Sequence, residues 1–389
     1  MEKKIKIAGI ATKAEGIKWF MLDNLRFAAN NGFEPYIICE PSAIFDGEDL
    51  AGITYQPIPM QRGNVSLMEV LKSTWRLYNN FRNNRFEIVQ YTSSNAGLYA
   101  SIASWLARVP VRIYCQWGIS YTDYTGFKLW FYKTMEKVTC MFSTDVQPDS
   151  FANLKFSQEE GLYGAKKGSV IHKGSANGVD MSRFDIANKL DWRCEIRKQY
   201  GISEETKVIG FVGRLVPEKG INELLESFTK LKANNTKLII VGPYYEVERL
   251  EQELYNAAQQ NPNIIFVGPV SNPAKYYAAF DFLTLPSYRE GFGSVVLEAA
   301  SMAVPTICSN IKGPTDFIRD GENGILCDVK SADSLYDALA KAITMTVEDY
   351  KQMSDTVYND VKRDFDAKVF QKHFVADRIR LLKRHKVVR

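Results

Sequence analysis

Short apolar runs rich in Ile and Val alternate with longer helical patterns along the whole chain, and no other feature restricts the fold as strongly. Candidate strands are Ile5–Ile10, Pro35–Cys39, Thr54–Ile58, Ile88–Tyr91, Val111–Tyr114, Cys140–Ser143 and Val170–His172. Helices such as Trp19–Asn30, Leu67–Asn79, Gly97–Ala107 and Phe127–Lys137 fall between them. Repetition of this kind predicts an α/β fold built on a mostly parallel, doubly wound sheet. The pattern then restarts, with strands at Lys207–Phe211, Lys237–Val241, Ile264–Val267, Phe282–Leu285, Thr306–Cys308 and Ile325–Cys327. Its helices are Gly220–Lys232, Glu246–Gln259, Pro273–Ala279, Ser294–Met302 and Ala332–Thr344. A chain of 389 residues is too long for one ordinary core and suits two domains of about 180–200 residues. The stretch GSANGVDMSRF at 174–184, followed by Asp185, Asn188 and Asp191, reads as the boundary. The expected division is 1–180, 181–363, and a helical tail at 364–389 that returns to the N-terminal domain. Two Rossmann-like domains would face each other across a cleft, with ligands outside the carboxyl ends of the strands.

Composition removes several function classes. The charge balance is 49 basic against 45 acidic residues, a formal +4, far from the concentrated basic footprint of a nucleic-acid binder. The opening MEKKIKIAGIATKAEG regains charge at Lys13 and Glu15, so it reads as a first strand and its loop, not as a signal peptide. No stretch is long and apolar enough to read as a spanning helix. The six cysteines, at 39, 115, 140, 194, 308 and 327, form no CxxC pair and read as reduced residues of a cytoplasmic protein. With only His172, His373 and His385, neither a zinc enzyme nor a serine-hydrolase triad has much to work with.

Two segments carry the chemistry. In LTLPSYREGFGSVVLEAA at 283–300 a strand ends at Leu285, and Gly291 and Gly293 let the backbone approach a ligand. Ser294 is placed to cap a helix whose first N–H groups, with those of Phe292 and Val295 nearby, can seat a phosphate. Glu290 and Glu298 beside an anion seat suit the hydroxyls of a ribose or a sugar. A capped helix with Glu298 in its dipole field is the other reading. In FVGRLVPEKGINELLESF at 211–228 a strand ends in Gly213 and Arg214 emerges from it, while Pro217 and Gly220 frame a turn carrying Lys219. A cation at a helix start opposes the dipole unless Arg214 and Lys219 share an anion. A solvated basic pair beside Glu218 is the alternative. Neither GxGxxG nor GxxxxGK[ST] is present, which weakens dehydrogenase and ATPase readings. Clamped phosphates beside two carboxylates describe a nucleoside diphosphate bearing a polyhydroxylated group.

RLVPEKG followed by the Glu-x7-Glu of EGFGSVVLE, together with GSANGVDMSRF, TLPSYREGFG and RDGENGIL, resembles the family 4 glycosyltransferases, retaining enzymes of the GT-B fold. The resemblance spans essentially the whole chain and is strongest from 170 to 330. It implies that the first domain binds the acceptor and the second a UDP-, GDP- or dTDP-sugar. Arg214 and Lys219 would hold the diphosphate, Glu290 the donor sugar and Glu298 the ribose, with Gly16 in a loop that lets the donor approach. Two departures stand out. Relatives often place a histidine after the fifth strand, where this chain has YCQWGISYTDY, so no general base is assigned and Gln116, Trp117 and Gly118 become candidates for a sugar pocket. Asp316 of KGPTDFIRDG stands where a glutamate is usual, a carboxylate shortened by one carbon. The family needs no metal for phosphate chemistry, and the only DxD, at Asp364–Asp366, reads as a surface feature; no cofactor beyond the donor is expected.

From Arg62 to Lys137 the chain has ten basic and four acidic residues. Within it LMEVLKSTWRLYNNFRNNRF, at 67–86, mixes Leu, Trp, Tyr and Phe with Lys72, Arg76, Arg82 and Arg85. It reads either as an ordinary surface helix or as a face for anionic lipid. The tail FQKHFVADRIRLLKRHKVVR admits the same two readings, packed helix or basic face on a membrane. Similar enzymes extend sugars on undecaprenyl diphosphate in capsule, O-antigen and exopolysaccharide assembly. The expected function is therefore a glycosyltransferase at the inner face of the cell membrane with a lipid-diphosphate-linked glycan acceptor. A soluble enzyme with a small-molecule acceptor, or a silent sugar-nucleotide-binding scaffold, are the alternatives.

Overall fold

The computed structural model describes residues 4–388 except 51, 62, 64, 65 and 234. Arg62, the first cation of the basic stretch, thus lies outside the described residues. The chain forms two units, Met1–Asn177 with Lys368–Arg389, and Gly178–Ala367.

In unit 1 the strands are β1 (Ile5–Ile10), β2 (Phe33–Cys39), β3 (Thr54–Pro57), β4 (Ile88–Tyr91), β5 (Val111–Gln116) and β6 (Asp145–Pro148). They pair in parallel in the order β3-β2-β1-β4-β5-β6. The helices are α1 (Ala14–Phe20), α2 (Leu22–Ala29), α3 (Leu67–Asn84), α4 (Ser94–Leu106), α5 (Gly126–Phe142) and α6 (Phe151–Glu159). One layer packs Leu77 and Phe81 of α3, Tyr99 and Ala103 of α4 and Cys140 of α5 on the sheet. Ile17 of α1 and Leu25 of α2 pack on the other face. Strands covered on both faces are buried along their length, as β4 is, which is why they read as continuous apolar runs.

Two expected strands of this half are corrected. Cys140–Ser143 is the end of α5 and its cap, and Val170–His172 is irregular. The sixth strand is instead Asp145–Pro148, whose Asp and Gln lack the Ile/Val signature of a buried strand; its polar side chains are buried because other residues bond them, as described below.

Unit 2 repeats the plan with β7 (Lys207–Val212), β8 (Thr236–Val241), β9 (Ile264–Gly268), β10 (Phe282–Leu285), β11 (Thr306–Ser309) and β12 (Gly324–Cys327), ordered β12-β11-β10-β7-β8-β9. Around it lie α7 (Lys189–Gln199), α8 (Ile221–Leu231), α9 (Gln252–Gln260), α10 (Ala274–Ala279), α11 (Ser294–Ser301), α12 (Ala332–Ile343) and α13 (Val347–Asp364). In both sheets the chain reverses direction across the sheet between the first and fourth strands, β1/β4 and β7/β10, which opens a crevice at their carboxyl ends. Asp364 of the DxD triplet pairs with Arg363, and Asp366 forms an isolated bridge with Val179 where the chain re-crosses.

The last helix, α14 (Ala367–Arg384), packs on unit 1, burying Phe370, Phe374 and Leu382. Arg378, 1% exposed, donates to Gln90 of β4 at 2.8 and 3.0 Å and to Gln147 of β6 at 2.8 Å. It also pairs with Asp377 at 2.7 Å. Arg384 and His385 both reach the buried Asp145 of β6, at 3.0 and 2.8 Å. The tail is therefore a packed helix whose cations bind the sheet's own polar groups. A buried cation left without partners, or partners left without it, is strongly destabilising. Arg378→Ala is expected to cost unit 1 about 3–5 kcal/mol, read as an earlier unit-1 transition in urea while the unit-2 transition holds its midpoint.

Candidate active site

The carboxyl ends of β7 and β10 are neighbours in the unit-2 sheet, so the loops that follow them meet. After β7, Gly213 donates its N–H to Val241 at 2.9 Å, and buried Leu215 and Val216 anchor the loop. A 3-10 turn at Pro217–Lys219 then ends in Gly220 at φ 71°, the cap of α8. A Cβ on Gly220 would lie 2.1 Å from the carbonyl oxygen of Pro286, in the loop after β10. Only glycine permits this backbone approach. A second tie is the Tyr288 N–H on the Glu218 carbonyl, at 3.0 Å.

This junction places Lys219 Nζ 2.5 Å from Glu290 Oε1, although 71 residues separate them. The buried Ser287 hydroxyl donates to the same oxygen at 2.7 Å. Arg214 is exposed and, among the described residues, its guanidinium makes no ion pair or hydrogen bond. Tyr288 donates to Glu223 of α8 at 2.6 Å, fixing the loop from the other side. A third loop closes on the first two: Gly313, at φ 96°, would place a Cβ 1.9 Å from the Gly291 carbonyl oxygen. The 3-10 turn Pro314–Asp316 that follows holds the half-buried Asp316 next to this junction.

Helix α11 opens at Ser294, and its cap is Gly293 at φ 85°, with no side chain bonded to that end. The expected Ser294 cap is thus corrected: Ser294 is the first helical residue. With no side-chain cap, the N–H groups of Ser294 and Val295 have no intrahelical acceptor and can meet an anion, while that of Val296 donates to the Gly293 carbonyl at 2.9 Å. Phe292 turns into the core against Phe365, ring centroids 5.4 Å apart, so only its backbone is available to a ligand. One turn along, Glu298 accepts from the buried Tyr277 hydroxyl at 2.8 Å. Burial holds its carboxyl above the usual carboxylate range, against the lowering effects of Tyr277 and the nearby Arg183. Burial and the Glu298 charge likewise raise Tyr277 well above an ordinary phenol.

The unit-1 candidates separate. Gly16 lies in the first turn of α1 rather than in a loop, and a Cβ there would meet only Ala11 at 3.4 Å, so packing within the unit does not require glycine. Gln116 is fully buried. Its amide donates to Glu136 at 2.5 Å, and its carbonyl accepts from Ser157 at 2.9 Å and Tyr163 at 3.2 Å. Those bonds occupy both ends of the amide, which corrects its place in a sugar pocket. Trp117 is half-buried, with its ring 5.7 Å from that of Phe20, and Gly118 follows at φ 87°. The cavity that Trp117 lines is about 20 Å³, room for a water molecule and not for a sugar ring. Tyr277, Arg183, Ser287 and the Tyr288–Glu223 pair escaped the sequence reading. Ser287 and Tyr288 lie inside PSYREGFG, Arg183 inside GSANGVDMSRF and Glu223 inside FVGRLVPEKGINELLESF, whereas Tyr277 lies in none of the motifs singled out.

The unit-2 site therefore joins an uncommitted guanidinium, a lysine shared with a carboxylate, an open helix N-terminus and a second carboxyl group one helical turn away. Such groups have the chemistry to bind an anion beside acceptors for hydroxyls. Residues 193–360 match the family described as Glycosyl transferases group 1. The chain carries a group 1 glycosyl transferase domain. Over 367 residues the chain is 29% identical to the capsular polysaccharide biosynthesis glycosyltransferase CapM of Staphylococcus aureus, covering 93% of this chain and 92% of that one. It is 25% identical over 354 residues to the UDP-Gal:alpha-D-GlcNAc-diphosphoundecaprenol alpha-1,3-galactosyltransferase of Escherichia coli, covering 87% and 88%. Among solved structures, a glycosyltransferase from Rickettsia africae superposes with a TM-score of 0.80 at 19% identity, over 98% of this chain and all of the other. Anabaena HepE in complex with UDP gives 0.77 at 18% identity, over 97% and 99%. The fold is GT-B.

A raised carboxyl pKa fixes the sign of a pH effect at Glu298. The folded protein holds this proton more tightly than the unfolded chain, so ionising the group costs stability as pH rises past the ordinary carboxylate value. Glu298→Gln removes that cost. Its melting temperature without ligand is expected to match wild type below about pH 4 and to exceed it increasingly toward neutral pH, while its affinity for a nucleoside diphosphate falls. Thermal melts across pH together with calorimetric titration check both halves.

Proposed function

We propose that this glycosyltransferase moves a hexose from a nucleoside-diphosphate sugar, with retention, to a hydroxyl of a glycan carried on undecaprenyl diphosphate, in the assembly of a bacterial surface polysaccharide. The observation that supports the donor half is the junction of the β7 and β10 loops, where the loop that carries Arg214 and Lys219 meets the one that carries Glu290 and leads into α11. The acceptor half rests on likeness to two proteins whose names specify capsule biosynthesis and a diphosphoundecaprenol acceptor. Such an acceptor would hold the enzyme at the inner face of the cell membrane.

In this reading the diphosphate takes Arg214 as a fork and draws on Lys219, while Glu290 turns to the sugar hydroxyls and Glu298 to the ribose. As the bond from the anomeric carbon to the β-phosphate oxygen breaks, the acceptor oxygen bonds to that carbon on the same face. Its proton passes to the departing phosphate oxygen. Arg214, Lys219 and the α11 N–H groups stabilise the charge that grows on the diphosphate. Two cations and a helix N-terminus can do this without a metal ion, and the mechanism needs no cofactor.

Arg214→Ala and Lys219→Ala are each expected to lower kcat/KM by about 30-fold to several thousand-fold, the equivalent of roughly 2–5 kcal/mol. Steady-state assays over UDP-, GDP- and dTDP-sugars with a lipid-diphosphate-linked glycan give the measurement; wild-type kinetics in both variants would falsify the clamp. Turnover with a small hydroxylated metabolite and none with the lipid-linked glycan would replace the acceptor. Activity is expected to persist in excess EDTA, and a complete loss restored by magnesium or manganese would overturn the metal-free mechanism.

A further inference from the structure

We propose that unit 1 docks on an anionic lipid surface through the opening turns of α3 and α5. On α3, Leu67, Leu71 and Trp75 follow one another at four-residue spacing, with Met68 beside them; on α5, Phe127, Trp130 and Phe131 share a face. These side chains are from 44% (Phe131) to 75% (Leu67 and Phe127) exposed. The core does not need them, because α3 packs inward through Leu77 and Phe81, and α5 through Thr139 and Cys140. Seven large apolar side chains left outside on two helices exceed the scattered exposure normal for a monomer surface.

The topology puts them together. Each helix of a parallel crossover runs antiparallel to its strands, so the N-termini of α3 and α5 lie at the carboxyl edge of the unit-1 sheet. Both helices pack on α4, which spaces the two apolar ends by about two interhelical distances, roughly 20 Å. Trp105 and Met141 are exposed as well, but they sit at the far ends of α4 and α5 and take no part.

Charge selects the occupant. Lys72 on α3 and Lys128 on α5, within those opening turns, are exposed and form no ion pair among the described residues. The acids on these helices are engaged: Glu69 bonds Ser73 and Arg76, and Glu136 is buried. Aromatic and aliphatic side chains interleaved with free cations match the interface of an anionic bilayer. A second copy of this chain would bring the same cations face to face across a two-fold contact. The tail helix offers no equal surface, since Arg378, Arg380 and Arg384 are bound to acids and amides of unit 1. Docking would hold the ligand-binding edge of this sheet at headgroup level. Its biological meaning rests on the lipid-linked acceptor proposed above, whereas its physical basis does not.

The test is co-sedimentation of the full chain with vesicles of equal parts phosphatidylglycerol and phosphatidylcholine. Wild type is expected to bind, and to bind less as salt rises. Quenching of its tryptophan fluorescence by brominated lipid is expected to show insertion. The pairs Leu71→Ser with Trp75→Ser, and Trp130→Ser with Phe131→Ser, are each expected to weaken binding about tenfold or more with unchanged melting temperature and unchanged transfer to a soluble glycan acceptor. No vesicle binding by wild type, or wild-type binding by both double variants, overturns the proposal. So does a lipid-free dimer in light scattering that the same variants disperse. Turnover of a detergent-solubilised lipid-linked acceptor without vesicle binding leaves the acceptor reading intact and sinks the docking; vesicle binding without such turnover does the reverse.

Discussion

The backbone contact between Gly220 and Pro286 determines how the Lys219 and Glu290 loops of the unit-2 site meet. Strands β7 and β10 are adjacent, but adjacency alone leaves the side chains that follow them free to point elsewhere. Gly220 brings the two loops to a separation that no side chain could share, and the Glu218–Tyr288 backbone bond locks the register. Lys219 and Glu290 then meet as a consequence. Their pairing answers an electrostatic problem in the ligand-free protein, because a lysine beside a helix N-terminus and an exposed arginine would otherwise concentrate like charge. In the proposed function an incoming diphosphate would compete with Glu290 for the lysine, and the released carboxylate would become available to hydroxyls.

Unit 1 is held by a different arrangement of charge. Its sheet carries Gln90, Asp145 and Gln147 at buried positions, which a strand surrounded by apolar layers cannot normally accept. The last helix of the chain brings Arg378, Arg384 and His385 to these groups. The sixth strand and the last helix therefore depend on each other, across more than two hundred residues of intervening chain. Arg378, Arg384 and His385 are structural, whereas Lys72 of α3 and Lys128 of α5 pair with no acid among the described residues.

The repeated alternation of apolar runs and helices was enough to read two doubly wound sheets, because parallel strands buried on both faces leave a strong apolar signature. The same signature explains what was misread. Cys140–Ser143 is apolar enough to pass for a strand but continues the helix before it, whereas Asp145–Pro148 is a strand whose polar residues are satisfied from far away in sequence. At the site, Arg214, Lys219, Glu290 and Glu298 stand out as charges beside glycines and strand ends. Gln116 could not be sorted in the same way. Its local sequence places it after a strand, yet its environment comes from Glu136, Ser157 and Tyr163, 20 to 47 residues onward. Ser294 failed as a cap for a smaller reason: Gly293 takes the left-handed cap position and moves the helix start by one residue.

Glu136 and Glu298 show why a perturbed acid does not by itself locate function. Each carboxyl is raised by burial, and each accepts a hydrogen bond from a buried tyrosine, Tyr114 in one case and Tyr277 in the other. The tyrosine supplies what a cation would supply at greater desolvation cost: a donor that stabilises the carboxyl in either protonation state without adding charge. What separates the pair is where each residue ends. Glu136 is enclosed, and the amide of Gln116 occupies its other oxygen. Glu298 keeps exposed surface on the first helix beyond the switch point, with an uncapped helix N-terminus one turn away and Arg183 close enough to lower its pKa. Within this fold the acid–tyrosine pair is a way of tolerating a buried carboxyl, and the binding role proposed for Glu298 rests on its place at the carboxyl edge of the sheet, where Glu136 has none.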